Sequence, residues 1–135
     1  AQKNNLNNMI KNYGLEKKVK LIGFKSNTKK YYLESNLFIN ASLFEGFPNA
    51  VVEAISYSVP TICSNCKGGM SEILLNGRGG DLFPVNDSEE LSKKIISFYK
   101  NPKNLNKKLA LAREKIKKYS VSSHVVKYEK VFSDI

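Results

Sequence analysis

Two glutamates, Glu45 and Glu53, stand with seven residues between them inside Phe44-Glu45-Gly46-Phe47-Pro48-Asn49-Ala50-Val51-Val52-Glu53-Ala54. An apolar run, Leu37-Phe38-Ile39, leads in and reads as a buried strand; Gly46 then allows a tight turn and a close approach of backbone to ligand. Pro48 falls where a helix begins, since its missing N–H would have had no partner there in any case. The amides of Asn49, Ala50 and Val51 are then expected to point outward at the positive end of the helix dipole, an anion site. Glu45 before the turn and Glu53 in the second helical turn flank that site with acceptor-only carboxylates. Phosphate-binding amides beside hydroxyl-binding carboxylates suit a ligand of the nucleotide-sugar type.

The elements that must carry these residues follow from periodicity. Leu6, Met9, Ile10 and Tyr13 have helical spacing, and Gly14 is a natural stop. Val19 to Phe24 alternates like a short strand. Asn27 or Thr28 can cap a helix over Lys29 to Ser35 whose apolar side is Tyr31, Tyr32 and Leu33. Leu37 to Asn40 is the next strand, and the central helix runs to about Tyr57. Val59 to Cys63 reads as a strand with Pro60 at its tolerant first position. A glycine-bearing loop, Ser64 to Gly69, leads to a short helix over Met70 to Leu75 that carries Glu72. Turn signals at Asn76-Gly77 and Gly79-Gly80 leave Leu82-Phe83 as a brief edge strand closed by Pro84. Asp87 or Ser88 caps a helix with Leu91, Ile95 and Phe98 on its apolar face. Asn101-Pro102 breaks it, and a further helix presents Leu105, Leu109, Ala112 and Ile116. A last helix, about Ser122 to Phe132, is expected to turn Val125, Val126, Tyr128 and Phe132 inward, with His124 away from the cleft. Strands alternating with helices imply a parallel sheet covered on both faces, with ligands at the carboxyl ends of its strands.

Composition sets limits on what such a domain can be. The 135 residues make one domain, 41% hydrophobic and 25% charged, with a net charge of +10. That charge fits solvated lysine-rich helix faces or attraction to an anionic membrane surface, and no aromatic-interleaved basic stripe points to nucleic acid. No apolar run approaches the roughly 18 residues of a membrane span. The two cysteines, Cys63 and Cys66, form C-x-x-C, but a loop (Lys67-Gly68-Gly69) follows where a redox motif would open a helix. With one histidine and two cysteines the chain offers no zinc ligand set. The chain begins Ala1-Gln2 directly in a helical pattern and reads as a piece excised from something longer.

The Glu45/Glu53 pair inside FEGFPNAVVEA resembles the E-x7-E motif of family 4 retaining glycosyltransferases of the GT-B fold. The similarity continues in order through SVPTICSNCKGGMSEIL and NGRGGDLFPVNDSEELSKKI, and covers the chain from about Asn12 onward. The resemblance implies a Rossmann-like parallel sheet flanked by helices, part of the C-terminal, nucleotide-sugar-binding domain, with the acceptor domain and the first strand–helix units outside residues 1–135. It implies donor diphosphate on the backbone of Gly46, Phe47, Pro48, Asn49 and Ala50, ribose hydroxyls on Glu53, and the sugar ring beside Glu45, the catalytic carboxylate. The nucleobase would border Phe24 and Lys25, although Phe24 also fits core or rim packing. Glu72 is either a functional neighbour of Gly68-Gly69 or a residue that complements its helix dipole. The expected donor is UDP-hexose or UDP-N-acetylhexosamine, with no metal or other cofactor. The expected acceptor is a lipid-linked saccharide of bacterial surface polysaccharide synthesis (O-antigen or capsule type). The expected location is the cytoplasm, with peripheral contact at the inner face of the cytoplasmic membrane as the extension that the basic charge suggests. The family's basic pair facing the diphosphate has no counterpart among these residues, so the chain alone is expected to bind donor weakly and transfer nothing. A nucleotide-binding module without catalysis is the alternative.

Overall fold

The computed structural model describes residues 2–120 together with Val125, Glu129, Phe132 and Ser133. The expected last helix, with His124, Val126 and Tyr128, lies largely outside the described residues. Val125 and Phe132, expected to face inward, are instead 46% and 72% exposed. At the other end, α1 (Gln2–Asn12) closes on Gly14, whose φ of +62° suits glycine. The helix forms as expected but buries none of its residues.

The core is a three-stranded parallel sheet in the order β1 (Phe38–Asn40), β2 (Thr61–Ser64), β3 (Asp81–Phe83). Its middle strand is buried along its whole length, as expected where both faces are covered. Alternation along β2 sends Ile62 to one face and Cys63 to the other. Ile62 packs with Phe83, Leu105 and the Leu91, Ile95 and Phe98 stripe of α5 (Ser88–Lys100). Cys63 packs with Val51 and Ile55 of α3 (Asn49–Ser56), Met70 and Ile73 of α4 (Met70–Ile73), and Leu109 and Ala112 of α6 (Pro102–Ile116). Each fully buried Ile or Leu here contributes on the order of 1.5–3 kcal/mol.

Local chemistry explains the ends of these elements. Asp87 caps α5 by accepting from the Glu90 N–H at 2.8 Å, and Pro102 opens α6. Asn27 Oδ1 accepts from the Lys29 N–H at 3.2 Å at the start of α2 (Lys29–Glu34). The α3 exit is a left-handed Ser58 with Val59 N–H donating to Ala54 O, a Schellman closure.

Further expectations fail here. The run Leu37-Phe38-Ile39 is not a buried strand: no residue of β1 is fully buried, and Ile39 is 39% exposed, because β1 is an edge of the sheet with β2 on one side alone. Val19 to Phe24 is not a strand; no described strand pairs with it, its one described backbone bond being the local Val19 N–H to Leu15 O at 2.9 Å, and alternation without a partner does not make a strand. Of the expected apolar side of α2, only Tyr32 is buried, while Leu33 is 62% exposed.

Candidate functional site

Asn40 ends β1, and its side chain is oriented locally: Oδ1 accepts from the Ser42 N–H at 3.0 Å. That leaves Asn40 Nδ2 to donate to Glu45 Oε1 at 3.2 Å, while Ser42 Oγ donates to the same oxygen at 2.7 Å. The backbone beneath is tied across to β2, because buried Ser64 Oγ donates to Ser42 O at 2.5 Å. Glu45 is therefore half-buried with one oxygen doubly held, and a described partner for Oε2 is absent. A carboxylate fixed by one oxygen can offer the other to a ligand hydroxyl or to a developing positive charge.

The loop carrying Glu45 is zipped to the loop after β2. Glu45 N–H donates to Lys67 O and Gly69 N–H donates to Gly46 O, both at 3.2 Å, around a parallel bridge between Phe44 and Lys67. Gly68, at φ +117°, makes this approach possible: a Cβ there would sit 1.6 Å from Glu45 O. The tight-turn role expected of Gly46 belongs to Gly68 instead. Gly46 is not among the positive-φ residues, and a Cβ on it would meet nothing within 4 Å.

The start of α3 also differs in detail from expectation. Pro48 is the N-cap, one position before the first helical residue, with φ −80° and ψ 70°. Those angles make an inverse γ-turn, so Asn49 N–H donates back to Phe47 O at 2.9 Å. Val51 N–H donates to Pro48 O at 3.0 Å. Of the three amides expected to be free, Asn49 and Val51 are consumed within the turn because proline's ψ folds its own carbonyl and that of Phe47 toward them. Among the described residues nothing accepts from the N–H groups of Gly46, Phe47 or Ala50. These three amides, beside exposed Asn49 and buried Pro48, are the anion-binding donors this turn can supply.

Glu53 stands in the second turn of α3. It is exposed and lines a depression of about 430 Å³ with Ser26, Asn27, Thr28, Lys29, Ser56 and Tyr57. Beneath it, Tyr32 Oη reaches Ala50 O at 3.4 Å, and the Tyr32 ring stacks on Tyr57 with centroids 5.4 Å apart. Burial, followed by the hydrogen bond and charge of Glu53, pushes the Tyr32 hydroxyl up to about 12. Lys25 lines an adjoining depression of about 290 Å³ that shares Ser26 and Asn27 with the first. Phe24 is 93% exposed, so core or rim packing does not account for it. The structure thus gathers Glu53 and Lys25 into adjoining depressions, with the free amides at the start of α3; Glu45 lines neither depression.

The remaining polar candidates separate clearly. Glu72 Oε1 accepts from Tyr119 Oη at 2.7 Å and Lys118 Nζ at 2.8 Å, with Lys115 Nζ at 3.7 Å. The Lys118 and Tyr119 hydrogen bonds hold its carboxyl down at about 2. Its role is therefore to tie α4 to the end of α6. Cys63 and Cys66 are both buried free thiols, and burial pushes Cys63 up to about 12, which is opposite to what a redox cysteine needs. Among the described residues, no three His, Cys, Asp or Glu side chains form a metal-binding group.

The family model described as "Glycosyl transferases group 1" matches residues 1–119. The chain belongs to the group 1 glycosyltransferases. It is 32% identical over 95 residues to the Campylobacter jejuni N-acetylgalactosamine-N,N'-diacetylbacillosaminyl-diphospho-undecaprenol 4-alpha-N-acetylgalactosaminyltransferase, covering 70% of this chain and 26% of that protein. The crystal structure of a Rickettsia africae glycosyltransferase superposes with a TM-score of 0.85 at 26% identity, over 98% of this chain and 36% of the other. The Anabaena protein HepE, crystallised in complex with UDP, gives a TM-score of 0.88 at 22% identity with the same coverage, a likeness of fold. The chain thus spans roughly a quarter to a third of these proteins. The α/β fold and its parallel sheet are those of GT-B glycosyltransferase C-terminal domains.

Sequence reasoning singled out Glu45 and Glu53 but missed what holds Glu45. Asn40 and Ser42 lie just upstream of Glu45, and two polar residues at a strand exit before an acidic loop were the available signal. Ser64, Tyr32 and Tyr119 gave no signal at short range.

Proposed function

We propose that this chain is the donor-binding part of a retaining glycosyltransferase and that its complete protein extends beyond residues 1–135 to include an acceptor domain. One observation carries the reading. Three unpartnered amides at the start of α3, those of Gly46, Phe47 and Ala50, stand next to Glu45, whose Oε1 is held while Oε2 is open. The amides and the helix dipole would take the donor diphosphate. Glu45 would hold a sugar hydroxyl or stabilise positive charge at the anomeric carbon. Glu53, with the Ser26–Lys29 side of its depression, would take the ribose, and the neighbouring Lys25 backbone the base. The donor is a UDP-hexose or UDP-N-acetylhexosamine, in keeping with the UDP complexes of the HepE fold relative.

The acceptor is a lipid-linked saccharide, in keeping with the diphospho-undecaprenol in the Campylobacter relative's name. The net charge of +10 favours contact with an anionic membrane surface, and no described helix is long and apolar enough to cross one. Transfer proceeds without a divalent ion, the amides and cations outside this chain neutralising the diphosphate. The isolated chain binds donor weakly and transfers nothing.

The test is ligand-observed NMR of the chain with UDP, GDP and ADP, followed by Glu53→Gln in the complete enzyme. UDP preference and at least about a tenfold fall in kcat/KM are expected. Undiminished turnover by the variant would favour a nucleotide-binding module without the proposed chemistry. Full activity in excess EDTA supports metal independence, and abolished activity restored by Mg²⁺ or Mn²⁺ refutes it.

A further inference from the structure

The loop bearing the free amides touches a part of the chain distant in sequence. Beyond α6, a short 3₁₀ turn, Lys117–Tyr119, brings the Tyr119 ring edge-on to Phe47, with centroids 5.2 Å apart and planes at 70°. Phe47 is the first residue of the Pro48 γ-turn and supplies one of the unpartnered amides. The Tyr119 ring is itself fixed from behind: its hydroxyl donates to Glu72 Oε1 at 2.7 Å, and the same oxygen takes Lys118 Nζ at 2.8 Å. Lys118 also stands over the Tyr119 ring, 4.6 Å from its centroid. Glu72 belongs to α4, which starts directly after Gly69, the residue whose N–H is bonded to Gly46 O.

The Gly46 turn is thus gripped at two points by one body. At one end the Gly68-Gly69 backbone holds Glu45 and Gly46; at the other, Glu72 sets Tyr119 and Tyr119 sets Phe47. We propose that Tyr119 is a positioning residue for the donor site, orienting the Phe47 turn, and through it the amides that face the diphosphate, by a contact anchored on Glu72. The donor assignment itself rests on the function proposed above; the hold on the turn does not. An edge-to-face pair adds specific geometry beyond its buried area, which is what fixing a turn requires. A ring tethered by a charge-assisted hydrogen bond also keeps one orientation where an untethered ring would rotate.

The test measures the hold and the ligand separately, on the 135-residue chain and its variants Tyr119→Ala, Tyr119→Phe and Glu72→Gln. Tyr99→Ala, at an 87% exposed tyrosine on α5, serves as control. The Glu45 and Gly69 amides, bonded across the two loops, report opening by hydrogen exchange, and UDP titration followed by NMR reports affinity. Tyr119→Ala is expected to speed exchange of those two amides about threefold to tenfold and weaken UDP by a similar factor, with α5 amides unchanged. Tyr119→Phe and Glu72→Gln should fall between that variant and the parent, and Tyr99→Ala should match the parent. Unchanged Glu45 and Gly69 exchange in Tyr119→Ala overturns the proposal. So does an acceleration shared equally by α5, which would make Tyr119 a general stability residue. Faster loop exchange with unaltered UDP affinity breaks the link to the donor. If UDP binds neither the parent chain nor the complete enzyme while the loop effect persists, the donor assignment falls and the hold of Tyr119 on the turn stands.

Discussion

Replacing Gly68 by alanine is the most informative single change to this fold. The added Cβ would lie 1.6 Å from Glu45 O and 2.8 Å from Glu45 C, and the φ of +117° is one that side-chain-bearing residues rarely adopt. No rotamer relieves a clash with backbone, so the two loops must separate. Separation breaks the Glu45 N–H to Lys67 O and Gly69 N–H to Gly46 O bonds, worth about 1 kcal/mol each. Strain that alanine keeps at a left-handed φ after the loops part adds up to about 2 kcal/mol. The variant is therefore expected to lose about 2–4 kcal/mol. Urea denaturation monitored by circular dichroism measures this as a lower midpoint at unchanged slope. Gly46→Ala is the matched control, because its Cβ meets nothing within 4 Å at an ordinary φ. Its stability should stay within about 0.5 kcal/mol of the parent. A Gly68→Ala variant as stable as the parent, or a Gly46→Ala variant equally damaged, would refute the zipped arrangement of the two loops.

Other expectations concern charge and protonation. Glu45→Gln keeps an oxygen for Asn40 and Ser42 but removes the charge, so denaturation should shift by no more than about 0.5 kcal/mol while kcat/KM of the complete enzyme falls at least about tenfold. Tyr32 and Cys63 are both raised to about 12 in the fold, from 10.0 and 9.0 respectively, so the folded chain retains protons that the unfolded chain releases. Stability should hold below about pH 9 and decline from there toward pH 12, and Tyr32→Phe should flatten the upper part of that decline in a pH series of thermal melts. Glu72 is lowered from 4.5 to about 2, so its contribution is complete above pH 4.5 and lost as pH falls toward 2. The Tyr119 ring resonances should shift across that acid window, and Glu72→Gln should abolish the shift.

Much of the architecture was legible because its signals are local. The cap of α5 at Asp87 (one of the two expected candidates), the break at Asn101-Pro102 and the Leu105, Leu109 and Ala112 stripe each depend on residues within a turn or two, and each appears as expected. Val19–Phe24 shows the limit of such signals. Its alternation resembles that of a strand, but strand formation requires backbone partners that a local pattern does not supply. The Pro48 turn shows another limit. Proline fixed φ, whereas ψ decided which carbonyls captured the Asn49 and Val51 amides.

The sequence by itself determined the family and the order of strands and helices from Lys29 to Ile116, and it singled out the two acidic residues around a helix start. Tertiary structure alone decided which Glu45 oxygen is occupied, which amides remain open and which glycine is indispensable. Those outcomes depend on pairs such as Ser64 with Ser42 and Tyr119 with Glu72, 22 and 47 positions apart. Chain spacing carries no record of such meetings; the packing of α3, α4 and α6 on one sheet face brings them about.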